Sequence, residues 1–182
     1  MAANIANRLD ADFDVMLVHK LRAPFQPELA LGSIDEAGHV YLTPFADELG
    51  LSQHELSDEA QLQLGVLRNR RVRYTSGAPR VPMDDRTVIL VDDGLATGST
   101  AIAAVRSARA QGAKYVVVAA GVAPLATVER LRPEVDEIVC LHTPADFDAV
   151  SEFFGDFSQV SDDEVVRILA RRPGLSQAAR TS

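Results

Sequence analysis

The chain has 182 residues, of which 47% are hydrophobic and 24% charged, enough for one domain with a sizeable apolar core. Its net charge of −8 argues against a general DNA-binding or anionic membrane-binding surface. The single cysteine excludes a disulfide framework, and the longest apolar run, 116–124, is far shorter than the roughly 20 residues that span a bilayer. Since the N-terminus also lacks a signal-peptide pattern, we expect a soluble cytoplasmic protein.

The first part of the chain predicts a helix, a strand and a basic loop. Residues 2–9 have the pattern of a helix, and 13–18 that of a strand. The following segment, 19–27, contains two prolines and three potential cations, which indicates a positively charged loop at the end of a strand. These cations are candidates for a phosphate or pyrophosphate contact, with a solvated turn as an equally good interpretation: His19, Lys20 and Arg22.

A hairpin and a long helix follow. Residues 28–34 and 39–42 flank a four-residue turn, as two antiparallel strands do. A capping box at 52–55 opens a helix that we expect to reach Val72, with an apolar stripe of Leu56, Leu62, Gln63, Val66 and Leu67. Its last turns hold the arginines of 68–73. We favour cations that stabilise the helix C-terminus over a basic wall for an anionic substrate or RNA.

The central stretch, 87–100, combines more binding elements than any other part of the sequence. The apolar run Val88–Val91 predicts a strand buried on both faces, and Asp92 and Asp93 follow it. A loop with two glycines and three hydroxyls then leads into an alanine-rich helix at 101–112. Such a loop lies at the carboxyl end of a strand, where open α/β sheets bind ligands, and its amides form an anion site.

The remaining sequence predicts alternating strands and helices. We expect strands at 115–122 and 137–141, separated by a short helix at 127–131. Pro144 at the first helical position predicts a helix that begins at 143–146, and a second capping box at 161–164 opens another that ends near 170. Three phenylalanines between these helices indicate core packing rather than a base-stacking platform: Phe153, Phe154 and Phe157. The polar residues 173–182 are expected to be a disordered tail.

Spacing separates the possible ligands of the central stretch. A Walker loop needs lysine where Ser99 stands, and the dinucleotide fingerprint G-x-G-x-x-G is absent. A phosphatase with an aspartate nucleophile needs its acids one residue apart, whereas Asp92 and Asp93 are adjacent and point to opposite sides of the strand. A ribose phosphate fits, because the carboxylates can accept hydrogen bonds from vicinal hydroxyls while the loop surrounds the phosphate. A plain turn followed by a helix cap is the structural alternative.

The same residues resemble the phosphoribosyl diphosphate (PRPP) motif of type I phosphoribosyltransferases. The match consists of Val88–Val91, the two acids, and the sequence Thr97-Gly98-Ser99-Thr100. His19-Lys20-Leu21 resembles the Arg-Lys pair that opens the mobile loop in that family, with histidine in place of arginine. Nearly the whole chain, including 27–32 and 156–161, is similar to a group of bacterial predicted phosphoribosyltransferases of uncertain substrate.

The resemblance implies an α/β fold with an open, mainly parallel sheet flanked by helices. It implies a single domain over 1–172, with a hood and mobile-loop insertion of hairpin and helix at about 22–86 and C-terminal helices within 143–170. The implied enzyme, which we expect to be a homodimer, transfers a phosphoribosyl group from Mg²⁺-bound PRPP to a nitrogen acceptor such as a nucleobase and releases pyrophosphate.

The resemblance also implies roles for individual residues. Asp92 and Asp93 would hold the ribose hydroxyls, and Lys20, flanked by His19 and Arg22, would contact the pyrophosphate. No residue is expected to bind metal directly, because PRPP carries Mg²⁺, which reaches Asp92 or Asp93 through water. The 5′-phosphate loop would consist of Gly94, Leu95, Ala96, Thr97, Gly98, Ser99 and Thr100.

One departure from the family leaves two alternatives open. The family's first strand and the pyrophosphate-binding loop after it have no counterpart in this sequence. If they are lost, we expect weak or no transferase activity and a sheet with an unpaired strand. The chain would then be a PRPP- or nucleotide-sensing regulator, or a catalytically impaired homologue on the same fold.

Overall fold

The computed structural model describes residues 1–23, 26–43, 46 and 53–171. Six strands in this part of the chain form two sheets of three. The strands are β1 (Val18–Ala23), β2 (Gln26–Asp35), β3 (Val40–Leu42), β4 (Thr87–Gly94), β5 (Tyr115–Val122) and β6 (Glu137–His142). The helices are α1 (Ala2–Leu9), α2 (Gln53–Thr75), α3 (Ser99–Ala110), α4 (Leu125–Leu131) and α5 (Asp162–Leu169), with 3₁₀ turns at Arg132–Glu134 and Val150–Phe153. None of these helices is long and apolar enough to cross a membrane.

A parallel sheet in the order β4-β5-β6 is flanked by helices, which confirms the predicted α/β class. The middle strand β5 buries Val116, Val118 and Val122 almost completely, because it has a strand on each side and packs against α3. The predicted burial of β4 on both faces is wrong, since Ile89 is 38% exposed. Within the described residues β4 pairs only with β5 and is therefore an edge strand.

The second sheet is antiparallel and covers α2. Leu21 and Ile34 are fully buried on the face that packs against Leu64 and Leu67 of that helix. The predicted loop at 19–27 is wrong, because β1 and β2 occupy most of it. The predicted strand at 13–18 is also wrong, since residues 11–17 join no strand of the described part and β1 starts at Val18.

The hairpin prediction is confirmed, and α2 needs a correction of its buried stripe. The strands β2 and β3 cover the expected segments except residue 39, which lies in the connection at 36–39. In α2, Leu62 and Val66 are exposed, whereas Ala60, Leu64 and Leu67 are buried. The true stripe has spacings of four and three residues, as one helix face requires. The expected cap, Ser52, lies outside the described residues.

The C-terminal region contains one of the two predicted helices. Residues 143–149 are irregular, so the helix predicted to start at 143–146 is wrong. The rings of Phe147 and Phe153 stack with centroids 5.7 Å apart, which favours the compact irregular path. The predicted helix start at 161–164 is confirmed, because Ser161 caps α5 with its hydroxyl, which accepts from the Glu164 amide at 3.3 Å. Phe157 is 46% exposed, so the prediction that it is core is wrong. The predicted tail, 173–182, lies outside the described residues.

Candidate functional site

Strand β4 carries two adjacent carboxylates to the carboxyl end of the parallel sheet. Asp92 stands beside Ala120 of β5 and is half-buried, whereas Asp93 is exposed and accepts a hydrogen bond from the Gly94 amide at 2.7 Å. Burial, and then the negative charge of Asp93, raise the pKa of Asp92 to about 6. Two carboxylates at a strand end can accept hydrogen bonds from ligand hydroxyls. Because its pKa is raised, Asp92 needs a bound partner that donates to it in order to stabilise its charged form.

We expect Asp92→Asn to stabilise the protein at neutral pH. Since the folded-state pKa lies above the unfolded value of about 3.9, the folded state keeps its proton longer, and stability falls as pH rises from about 4 to 6. Asparagine does not ionise and so avoids this fall in stability, and the free energy of unfolding at pH 7 should rise by about 1 kcal/mol. Urea unfolding of both proteins at pH 4 and 7 tests this. An equal difference between the two proteins at both pH values would contradict it.

The loop after the acids is held in place by β5 and α4. The buried Leu95 donates its amide to the Val122 carbonyl at 2.9 Å, and the Thr127 hydroxyl donates to the Ala96 carbonyl at 2.6 Å. Gly98 has a φ of 71°, and a Cβ there would lie 2.9 Å from the Thr127 methyl group. Only glycine fits this left-handed position against α4, so the glycine fixes the entry of the loop into α3.

The loop presents unpaired donors around the N-terminus of α3. The Thr97 and Ser99 hydroxyls lie 2.9 Å apart and bond to each other. Within the described residues, several consecutive amides donate to no acceptor: those of Ala96, Thr97, Gly98, Ser99 and Thr100. Amides at a helix N-terminus favour an anion through both hydrogen bonding and the helix dipole, so this loop can hold a phosphate.

Residues 150–154 pack over the carboxyl ends of β4 and β5. A Cβ on Gly94 would lie 2.5 Å from the Val150 side chain, and one on Gly121 would lie 3.0 Å from the Phe154 ring. The two glycines therefore let this segment approach the strands closely. The aromatic side chains nearby, Phe153 and Phe154, are half-buried at the same edge as the acids.

The three predicted cations lie on β1 and do not share one face. His19 stands opposite Ile34, on the face covered by α2, and burial followed by the charges of Arg22 and Arg70 lowers its pKa. Lys20 stands opposite Ser33 on the other face, because side chains alternate along a strand. Lys20 and Arg22 are exposed. A register shift separates Leu21 from Arg22, so alternation does not fix the face of Arg22.

A groove of about 520 Å³ runs along the free edge of β4 and opens at the candidate site. Its walls include α1, residues 11–16 with Val18, residues 81–83, β4, the first turns of α3, and α5, and they are largely apolar. Asp92, Leu95 and Thr100 line one end of it. The groove therefore reaches the candidate site at Asp92 and Thr100.

Comparisons with known proteins identify the family. No family model matches the chain. Two Mycobacterium tuberculosis proteins, each named "Putative phosphoribosyl transferase", are 43% identical over 175 residues, which cover 94% of this chain and 39% of each relative. In structure, the chain is similar to TT1426 from Thermus thermophilus, with a TM-score of 0.84 and 42% identity, over 95% of this chain and 82% of that chain. The chain belongs to the phosphoribosyltransferase family. It spans about two fifths of the length of the curated relatives that it matches.

The structure of this phosphoribosyltransferase-family chain adds residues that the sequence did not reveal. Thr127 supports the candidate phosphate loop from 31 residues away, and Val150 closes over Gly94. Neither belongs to a motif, and a lone threonine or valine carries no signal for such a role. The acids and the loop are brought together as expected, whereas the cations lie on a separate sheet.

Proposed function

We propose that the chain binds PRPP with Mg²⁺ and transfers its phosphoribosyl group to a nitrogen acceptor such as a nucleobase, with release of pyrophosphate. The supporting observation is the loop after β4, whose unpaired amides surround the N-terminus of α3 directly after Asp92 and Asp93. This arrangement offers donors for a phosphate and acceptors for hydroxyls within nine consecutive residues, as a ribose 5-phosphate requires.

The proposed reaction assigns a task to each part of the site. The loop amides bind the 5′-phosphate, and Asp92 and Asp93 accept hydrogen bonds from the ribose hydroxyls. The anomeric C–O bond then breaks, its electron pair leaves with pyrophosphate, and the acceptor nitrogen bonds to the sugar carbon and loses its proton to the solvent. Lys20 offers a positive charge to the departing pyrophosphate. Positioning and charge stabilisation are the main contributions of such a site.

The donor set suits Mg²⁺ that is carried by the substrate. The described residues contain no cluster of three or more histidine, cysteine or acidic side chains that could hold a metal ion. Asp92 and Asp93 are the carboxylates at the end of β4, and Mg²⁺ bound with substrate phosphates needs only one or two carboxylates. When bound, Mg²⁺ would neutralise charge on the pyrophosphate, and Asp92 or Asp93 would hold it through water.

Calorimetric titration with PRPP, in the presence and absence of Mg²⁺, tests the proposal. We expect PRPP to bind more tightly with Mg²⁺, and ribose 5-phosphate to bind more weakly than PRPP. Folded protein that binds neither ligand would contradict the proposal. Pyrophosphate release with a panel of purine and pyrimidine bases then separates a transferase from a protein that only binds PRPP.

Substituting Lys20 should weaken the binding of PRPP more than substituting His19 does. Lys20 lies on the face of β1 turned away from α2, whereas His19 lies on the α2 face beside Arg70. A lost charge contact to a phosphate should cost about tenfold in affinity, so Lys20→Ala should raise the Kd of PRPP by this factor. His19→Ala should change it less than about threefold. Titration of both variants is the measurement, and an equal or larger effect of His19→Ala would refute the assignment.

A further inference from the structure

The buried carboxylate of Asp35, at the end of β2, accepts hydrogen bonds from its own hairpin and from α3. Asp35 is 1% exposed, and its Oδ1 accepts from the Ala37 and His39 amides, both at 2.9 Å. Its Oδ2 accepts from the Tyr41 hydroxyl at 3.2 Å and lies 3.1 Å from the His39 ring nitrogen. A fifth donor, the Ser107 hydroxyl, lies 2.6 Å from Oδ2. Four of these five donor groups belong to the same hairpin, whereas Ser107 belongs to α3.

Asp35 is held as a carboxylate despite its burial. Burial favours the protonated acid, but the hydrogen bonds from Ser107 and His39 outweigh it and lower the pKa of Asp35. The Ser107 bond is therefore charge-assisted and shielded from water, the setting in which a hydrogen bond is strongest. Gln111 donates to the Ser107 hydroxyl at 3.1 Å, so the hydroxyl is oriented from its own helix as well.

This bond connects the two halves of the proposed substrate site. Ser107 lies on α3, eight residues after Ser99, where the candidate phosphate loop enters the helix. Asp35 stands opposite Val18 in the antiparallel ladder, and Lys20 stands opposite Ser33. Paired residues share a face, as do residues two apart on a strand, so Asp35, Val18 and Lys20 lie on one face of the sheet. The Ser107 bond shows that this face is turned toward α3, because Asp35 contacts α3 there.

We propose that Asp35 and Ser107 form a positioning pair that fixes Lys20 of β1 relative to the phosphate loop on α3. Because α3 is a rigid helix and β1 is paired with β2, this pair would keep Lys20 and the phosphate loop at a fixed distance from each other. The pair would therefore favour ligands that carry phosphate groups at both ends of a ribose over ligands with a single phosphate. This inference rests on the proposed function, since it assumes that both contacts serve the same ligand.

Ser107→Ala is the test, with His39→Phe as the matched control. Each substitution removes one side-chain donor to Asp35 Oδ2, but Ser107→Ala removes a bond between the hairpin and α3, whereas the His39 ring and Asp35 belong to the same hairpin. Alanine is smaller than serine and a good helix former, so the variant should fold. Titration with PRPP and with ribose 5-phosphate, in Mg²⁺, gives the ratio of their affinities, and urea unfolding of both variants reports any general loss of stability.

We expect Ser107→Ala to weaken the binding of PRPP by about tenfold and that of ribose 5-phosphate by less than about twofold. The variant would lose the contact of the mispositioned Lys20 with the pyrophosphate, whereas the phosphate loop would stay intact. His39→Phe should leave the affinity ratio within about twofold of wild type, since the bond that it removes lies within the hairpin. An equal loss for both ligands in Ser107→Ala, or no loss for either, would overturn the positioning role while leaving PRPP binding by the wild type intact. A wild-type protein that binds neither ligand would overturn both proposals.

Discussion

Replacing Asp92 and Asp93 together with asparagine should abolish measurable PRPP binding while the protein stays folded. Each carboxylate is placed to accept a hydrogen bond from a ribose hydroxyl, and a charge-assisted bond of this kind contributes about 1.5–3 kcal/mol. The loss of both corresponds to at least about a hundredfold weaker binding. The carboxylates make no ion pair within the described residues, so their loss should leave the sheet intact. Titration with Mg²⁺-PRPP and a circular dichroism spectrum are the measurements.

The chain offers a matched control for this double variant. Asp84 and Asp85 are also adjacent acids and lie just before the other end of β4. Asp85 pairs with Lys114 at 3.3 Å, and both side chains are largely exposed, so this pair contributes little to stability. Asp84→Asn with Asp85→Asn removes the same charge and should leave PRPP binding within about twofold. PRPP binding that survives in the Asp92 and Asp93 double variant would refute the ribose assignment.

The parallel sheet was predictable from sequence because its signals are local. The strand β5 was predicted with its observed bounds, since a short apolar run between a lysine and a proline is typical of a buried strand. The strand β1 was misread because His19, Lys20 and Arg22 look like a solvated loop. In the structure, only Leu21 between them is buried, and the ladder with β2 decides the conformation.

The candidate site likewise has one part that could be predicted from the sequence and another that could not. Asp92, Asp93 and the loop are contiguous, so a motif reveals them, and the strand-loop-helix order fixes where they lie. The bond between Ser107 and Asp35 joins residues 72 positions apart, and that of Thr127 to Ala96 joins residues 31 apart. Such contacts depend on how the helices pack on the sheets, and a serine or threonine in a helix gives no sign of its distant partner. The side of β1 on which Lys20 lies likewise follows from the register rather than from the residue itself.

Substituting Arg71 should have the largest effect on stability. Its guanidinium lies between Asp14, at 2.8 Å from Nη1, and Glu36, at 2.6 Å from Nε, and donates to the Val15 carbonyl as well. All three charged side chains are nearly buried, so Arg71→Met would leave two carboxylates there without their main cation. The loss of one partner from a buried ion network costs about 3–5 kcal/mol. Because Arg80 remains 3.7 Å from Glu36, we expect the lower end of this range. Urea unfolding measures it.

Two further variants separate the buried network from charge in general. Arg73 lies on the same helix and pairs with Asp162 at 2.6 Å, but both side chains are more than one third exposed, so Arg73→Met should cost about 1 kcal/mol or less. The triple variant Arg71→Met, Glu36→Gln and Asp14→Asn removes the negative charges that Arg71 balances and should recover part of the loss. If Arg71→Met lowers the free energy of unfolding by no more than Arg73→Met does, the buried network contributes no more to stability than an exposed ion pair. A large loss in Arg71→Met with recovery in the triple variant would support the conclusion that Arg71 joins α2 to residues 11–16, a wall of the groove beside β4.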